Sequence, residues 1–482
     1  MPPQIILKNK VIFYLASRYL TYFVQFVTSL VIAAELGPYY MGIWGFILLL
    51  LQYFQQFHFG IANSFNVLYV HHRGERQECD NYTGNSLVLI GYLAGMVILF
   101  YLYYQFVGIE GFEKYHAGKY IVYICLIAIL QYFVQFFINL FRVKNQLNRV
   151  TFCQSIIVLL NFVCIFFFRG EQLIVSLVTG YVIGNVSCVI LAFTSGSIPA
   201  LNDVKISISY QKEILKKGIY LFLYNSCFYF IIISIRTIIS ANYSVEEFGM
   251  FTFSFSLAHA IMLILEAFSF IIFPKVISKL SSDNMTEVEN TISLLRSIYI
   301  TSAHFLVYLA LPCFPILLHF MPKYSGTITA LNLIALTILM STCSYGYLEL
   351  LIARNKEKTA AILAAFALLF NGGIAMYMVT CLHCDFSHVI LATMITYYLF
   401  SLVVCVRGRI FMEKKGENNL LNEFFPVRLA IPYFTALTLS IFRLENLIVI
   451  TVFCFVFLNW KQKKNIIRLT QKILSKPSLI NL

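Results

Sequence analysis

VIFYLASRYLTYFVQFVTSLVIAA, residues 11–34, is the stretch that decides the fold. One charged side chain, Arg18, interrupts 24 residues of otherwise apolar or neutral sequence. As a helix rising 1.5 Å per residue, such a run outreaches the roughly 30 Å hydrocarbon layer of a bilayer. It lacks the apolar/polar alternation of a barrel strand, so a membrane helix is expected. Thirteen comparable runs follow, at 40–69, 84–107, 120–141, 150–168, 173–194, 213–240, 247–273, 292–319, 327–353, 359–381, 386–406, 427–442 and 445–460. The last two are short. The expected fold class is therefore all-α, a polytopic membrane protein of about 14 transmembrane helices.

The composition of the 482 residues agrees with that reading. Sixty per cent are hydrophobic, 12% are charged, and the mean hydropathy is +0.79. No water-exposed surface can be built from such a chain, which excludes a soluble enzyme, a nucleic-acid module and a disordered segment. The net charge of +13 has a topological explanation. With the N-terminus inside, 28 of the 35 lysines and arginines fall on cytoplasmic segments, as basic residues do in membrane proteins. Only Lys114, Lys119, Arg169, Lys323 and Arg443 fall on outer loops. Both termini are expected to be cytoplasmic. The first apolar run is too long for a cleavable signal. Most of the 12 cysteines lie in apolar runs, where a thiol acts as a small hydrophobe.

The chain repeats itself. Met41-Gly42-Ile43-Trp44 and Phe248-Gly249-Met250-Phe251 follow the first span of each half, and Lys114-Tyr115 and Lys323-Tyr324 precede each fourth span. Asn145 and Asn355 sit in matching basic turns, and Asn161 and Asn371 end matching Leu-x-Asn runs. The offsets stay between 207 and 210 residues. Six spans per half return the chain to the same membrane face, so the halves are expected to be parallel copies. The expected organisation is a six-helix lobe at 1–195, a cytoplasmic linker at 196–212 and a second six-helix lobe at 213–410. A cytoplasmic loop with helices 13 and 14 at 411–460, and a basic tail at 461–482, complete it.

Polar side chains within the spans are the candidates for function, because hydrocarbon penalises them unless protein or water receives them. The first span sets Tyr14, Arg18, Tyr22, Gln25 and Ser29 on one helical face. The second carries Gln52, Gln56, Asn63 and Asn66, with Gln55 beside them, and the fourth carries Gln131, Gln135 and Asn139. Such stripes suit a hydroxyl-rich ligand, and they also serve as interhelical glue. In the second half, Asn225, Tyr229 and Arg236 lie on span 7, His259 and Glu266 on span 8, and Ser341, Tyr345 and Glu349 on span 10. A guanidinium stays charged at any pH and suits phosphate, whereas Glu266 and Glu349 can carry a proton or hold Na⁺, and a wet His259 can titrate near neutrality. Arg18 and Arg236 are the basic residues set deepest in spans.

Cys381-Leu382-His383-Cys384, with Asp385 and His388, resembles a metal cluster but occupies a short outer loop, so free thiols or a local disulfide are expected, and no metal. Phosphate-loop, nucleophile-elbow and zinc-helix motifs are missing. A polymerase or ligase would need a large outer loop, and the longest, at 108–119, is about a dozen residues. No enzyme activity, cofactor or nucleic-acid partner is expected.

Leu36-Gly37-Pro38-Tyr39-Tyr40-Met41-Gly42-Ile43-Trp44, closing a span that contains Arg18, resembles the opening of Wzx-type polysaccharide flippases. These belong to the multidrug/oligosaccharidyl-lipid/polysaccharide (MOP) exporter superfamily. The likeness continues in Ser244-Val245-Glu246-Glu247-Phe248-Gly249, Phe273-Pro274-Lys275 and Lys323-Tyr324. It implies a V-shaped pair of six-helix lobes around a central cavity lined by cations. The implied substrate is an oligosaccharide on an undecaprenyl-pyrophosphate carrier, an O-antigen, capsule or exopolysaccharide repeat unit, carried from the inner to the outer leaflet by alternating access. A proton or sodium gradient is the implied energy source, and a glycan polymerase and a chain-length regulator are implied partners. On this resemblance Arg18, Tyr22, Gln25, Gln56, Asn63, Tyr229 and Arg236 are expected to bind substrate, and His259, Glu266 and Glu349 to couple ions. Ile235 stands where the family often has an aspartate, so any role of that acid is absent here or shifted to Glu266 or Glu349. A peptidoglycan lipid-precursor flippase and a drug/cation antiporter of the same superfamily remain alternatives.

Overall fold

The computed structural model describes residues 3–412 and 423–460, with side chains except at 3–13, 15, 201, 264 and 266–275. The side chains of Glu266 and Lys275, most of the 411–422 loop and the expected tail at 461–482 lie outside the described residues. Every regular element among the described residues is helical. By contacts the chain divides into unit 1 (Met1–Ser226 with Ser244–Gly249) and unit 2 (Cys227–Tyr243 with Met250–Leu482).

Unit 1 holds α1 (Pro3–Gln56), α2 (Ile61–His71), α3 (Arg76–Val107), α4 (Ile121–Val143), α5 (Leu147–Phe167) and α6 (Gly170–Thr194). The first part of α7 (Ile208–Asn242) and the first turn of α8 (Val245–Leu280) also belong to it. Two expected spans share α1, which bends where Gly37 leaves helical geometry at φ 66° and ψ 174° and Pro38 restarts the helix. Glycine accepts a positive φ and proline suits a first helical position. Helix α6 meets α5 through Gly180, Gly184 and Cys188, small buried residues spaced by four. A Cβ at Gly184 would stand 2.6 Å from Ile157 Cγ1. Close backbone approach through small residues is how membrane helices gain packing where lipid supplies no hydrophobic drive.

Residues 203–207, part of the expected linker, are bound along α3. The Gln77 amide donates to the Asp203 carbonyl (2.7 Å), and the Lys205 N–H donates to Asn81 Oδ1 (2.8 Å). Asn85 closes the ladder, giving its amide hydrogen to the Lys205 carbonyl (2.9 Å) and receiving the Ser207 N–H (3.0 Å). A side chain at Gly84 would overlap Val204.

Unit 2 holds the remainder of α7 and α8, then α9 (Met285–Ala310), α10 (Cys313–His319), α11 (Ile328–Ser341), α12 (Tyr347–Ala353), α13 (Glu357–Thr380), α14 (Leu391–Phe411), α15 (Val427–Ile441) and α16 (Val449–Asn459). Among the described residues ten helices are long and apolar enough to cross a membrane, α8 not being counted with them. Two of the fourteen expected spans share α1, and α15 and α16 are short.

The internal repeat reappears as matched geometry. Asn145 and Asn355 both adopt φ 55°. The turns they make close with equal bonds, Gln146 N–H to the Phe141 carbonyl and Lys356 N–H to the Leu351 carbonyl, each 2.8 Å. Phe46 pairs with Tyr115 in unit 1 and Phe253 with Tyr324 in unit 2, ring centroids 4.3 Å apart in each. Within unit 1, the repeat-related Gly42 and Gly249 face one another. A Cβ at Gly249 would overlap the Pro38 carbonyl oxygen, and one at Gly42 the Val245 carbonyl oxygen.

In unit 2 the helix stops between α11 and α12, at 342–346, where Gly346 takes φ 92°. Buried carbonyls need donors, and Arg296 supplies them. Its guanidinium donates to the carbonyls of Cys343 (2.8 Å), Tyr345 (2.9 Å), Glu423 (3.2 Å) and Phe424 (2.9 Å). Arg409 bonds the Glu423 carboxylate at 2.8 Å, and the Tyr347 hydroxyl donates to the same group. Arg296→Met keeps the bulk and removes the donors. It should cost about 3 kcal/mol or more, since groups left unsatisfied by loss of a charged partner cost roughly 1–3 kcal/mol each. A melting temperature in detergent equal to that of the parent would contradict this.

Candidate functional site

The polar stripe of α1 divides into two groups. Tyr14 donates to Gln154 Oε1 at 3.2 Å, and the Thr21 and Ser155 hydroxyls meet at 2.8 Å, so these side chains tie α1 to α5. Arg18 and Tyr22 are half-buried and Gln25 is exposed. The Arg18 guanidinium lies over the Tyr22 ring, 4.5 Å from its centroid. One helix thus carries a cation on an aromatic face, followed one turn on by an exposed amide.

The expected second span is not continuous. Helix α1 ends at Gln56, α2 begins at Ile61, and between them Phe59 (φ 47°) and Gly60 (φ 71°) turn the chain. Tyr132 from α4 donates to the Phe54 carbonyl at 2.8 Å. The Gly60 N–H donates to His58 Nδ1 at 2.9 Å, which requires that nitrogen to be unprotonated. Non-helical backbone at membrane depth persists where protein or a cavity receives it, and here a cavity of about 280 Å³ adjoins it. Its polar wall is Gln55, Gln56, His58, Gln131, Gln135 and Asn185. Gln55 donates to Gln131 Oε1 at 3.3 Å, and the exposure of Gln55 and Gln135 marks the open side.

Other members of those stripes hold helices together. Asn66 donates to Asn139 Oδ1 at 2.7 Å, and Asn139 donates to the Gln135 carbonyl at 2.8 Å. Asn63 is half-buried and is not part of the cavity wall. Asn185, which had drawn no attention in the sequence, closes the wall from α6.

In unit 2, α7 and α8 bring two expected residues together through a third. Arg236, 2% exposed, lies over the Phe255 ring at 5.2 Å, and the exposed His259 imidazole stacks on Phe255 at 5.7 Å and 10°. The α7 segment is fixed by Asn371, whose amide donates to the Ile231 carbonyl (2.8 Å) and Ser234 Oγ (2.9 Å) while accepting from Thr393 (3.0 Å). Tyr229 is half-buried, two turns before Arg236 on the same face. Phe255 carried no mark in the sequence beyond being aromatic at i−4 from His259.

Glu349 is engaged elsewhere in unit 2. Its carboxylate accepts the Gly346 N–H and caps α12, close to Arg296. Arg296 and Arg409, taken from the sequence as markers of topology, are both buried, and Arg18 is less so. Cys381 and Cys384 are free thiols, and the Cys384 carbonyl accepts the Tyr243 hydroxyl at 2.5 Å. Among the described residues no three His, Cys, Asp or Glu side chains are placed to hold a metal ion.

Residues 7–281, more than half of the chain, match the family model of polysaccharide biosynthesis proteins, a region that contains Arg18, the broken helix, Arg236 and His259. The chain belongs to this family. As a member of it, the protein is a multi-pass membrane protein with the MOP fold. The lipid II flippase MurJ in its inward closed conformation superposes with a TM-score of 0.68 at 15% identity, covering 98% of this chain and all of that one. An inward-facing multidrug resistance MATE transporter superposes with a TM-score of 0.67 at 14% identity, covering 83% of this chain and 98% of its own. A MOP transporter from Pyrococcus furiosus, described by the reversed polarity of its binding pocket, gives 0.53 at 14% identity over 84% of this chain and 96% of its own. At these identities the likeness is one of fold. No curated protein gives a significant sequence match.

Proposed function

We propose that this family member is a flippase that moves an undecaprenyl-pyrophosphate-linked oligosaccharide from the inner to the outer leaflet of the cytoplasmic membrane by alternating access. The observation that carries the reading is a pair of arginines, each laid on an aromatic ring within an apolar helix: Arg18 on Tyr22 and Arg236 on Phe255. A charge at membrane depth is costly and is kept for a substrate or ion path, and guanidinium fits a pyrophosphate better than an ammonium does. Neutral amides at Gln25 and along the broken helix suit the hydroxyls of the glycan. The repeat unit belongs to an O-antigen, capsule or exopolysaccharide, handed to a polymerase and a chain-length regulator.

Transport is coupled to a proton or sodium gradient through His259, Glu266 and Glu349. Neutralising Glu349 would release the first N–H groups of α12, which gives an ion a way to alter that helix end. Each ion shifts the balance of conformations by its differential affinity for them.

The test is reconstitution of the purified chain in liposomes holding the lipid-linked oligosaccharide in the inner leaflet. Arrival outside is read with an impermeant glycosidase under imposed proton or sodium gradients. Glu349→Gln should lower the gradient-dependent rate at least threefold. A rate no greater than that of empty liposomes would overturn the flippase reading.

A further inference from the structure

The cavity beside the broken helix is built for something other than a lipid phosphate. Among the described residues its wall has no Asp, Glu, Lys or Arg. Five primary amides, Gln55, Gln56, Gln131, Gln135 and Asn185, both donate and accept, and His58 and Tyr132 add further polar atoms. Asn185 is 1% exposed, gives its amide hydrogen to the Tyr181 carbonyl at 2.7 Å, and leaves Oδ1 buried with no hydrogen-bond partner. Ile61, Ile90 and Leu93 form an apolar wall of the same cavity.

We propose that this cavity is a subsite for a single uncharged sugar ring bearing hydroxyl or acetamido groups. A cavity of about 280 Å³ lies just below the roughly 300–1,000 Å³ of typical ligand pockets, which suits one pyranose better than a whole repeat unit. The amides match a ring's alternating donors and acceptors, and the apolar wall matches its C–H face. A uronate or phosphate would enter without a cation to pair it, and burial of an unpaired charge is prohibitive. The subsite therefore selects for a neutral residue of the glycan. This rests on the lipid-linked oligosaccharide reading and adds to it the chemistry of one sugar.

The full chain in lipid nanodiscs, with N-acetylglucosamine, glucose and glucuronic acid as separate probes, tests the assignment by saturation-transfer difference NMR at millimolar sugar. The neutral sugars should give ring-proton signals, at least fivefold above those of glucuronic acid. Gln135→Leu, on the open side where folding does not depend on it, and Asn185→Leu should each reduce the signal at least threefold. Gel-filtration profiles matching the parent show that the variants are folded. Equal signals from glucuronic acid, signals unchanged in folded Gln135→Leu, or a response to sodium chloride alone would overturn the subsite. Failure here with intact liposome flipping leaves the flippase reading standing. Sugar signals in a chain that flips nothing leave the subsite and remove the flippase.

Discussion

Arg236→Ala will remove surface glycan, to a tenth of the parental level or less, while the protein reaches the membrane in normal amount. Arg236 sits almost wholly buried in α7, its guanidinium on Phe255. A charge within a span is a cost to insertion rather than an aid, so delivery to the membrane does not require this arginine. Loss of transport without loss of protein is the expected combination. Arg236→Lys keeps the charge but not the planar fork, and should restore export only in part. Arg18→Ala should weaken export as well, through the second cation. Immunoblots of surface glycan and of the membrane fraction read both quantities. Parental glycan in both alanine variants would end the case for a pyrophosphate-binding role.

Gly249→Val acts in the opposite way, through the fold. The first turn of α8 is seated on α1 so closely that a Cβ at this position would overlap the Pro38 carbonyl, and would come within 2.7 Å of the Gly42 nitrogen. Both neighbours are backbone, which cannot rotate aside as a side chain can. Overpacking typically costs 1–3 kcal/mol where side chains can yield, and here about 3 kcal/mol or more is expected. The same turn is capped by Ser244 and Glu247, each bonding the other's N–H, so α8 starts at a defined residue and cannot slide. Fluorescence-detected gel filtration should show most of the variant aggregated. Gly42→Val should behave alike, and a monodisperse peak of parental height for either would contradict the packing described.

Most of the architecture was legible in the sequence because membrane helices declare themselves as long apolar runs. The repeat was legible because its signature residues occupy special backbone positions: Asn145 and Asn355 at positive φ, and Gly42 and Gly249 at a close crossing. The break at Phe57–Gly60 was not, since Phe57-His58-Phe59-Gly60 continues the apolar run and a lone glycine is tolerated inside helices. The stripe of α1 was read correctly as one helical face, but a face some 100° wide can serve two neighbours. Tyr14 and Thr21 turn to α5, and Arg18 and Gln25 do not. Arg296 could not be distinguished from a topology marker, because the carbonyls it holds lie 47 to 128 residues away. The amide row Gln77, Asn81 and Asn85, spaced by four, was the available sign that something would be bound along α3.

That row has a consequence for how the molecule is assembled. The segment at 203–207 is held to α3 through its main chain, with Val204 lodged over a glycine. Recognition of this kind is a docking address, and it lies downstream of the first six-helix stretch. Because α3 precedes this segment in the chain, the landing site is made before the residues that occupy it. A second half made as a separate polypeptide from residue 201 onward would carry the address with it, whereas one begun after Ser207 would leave it behind.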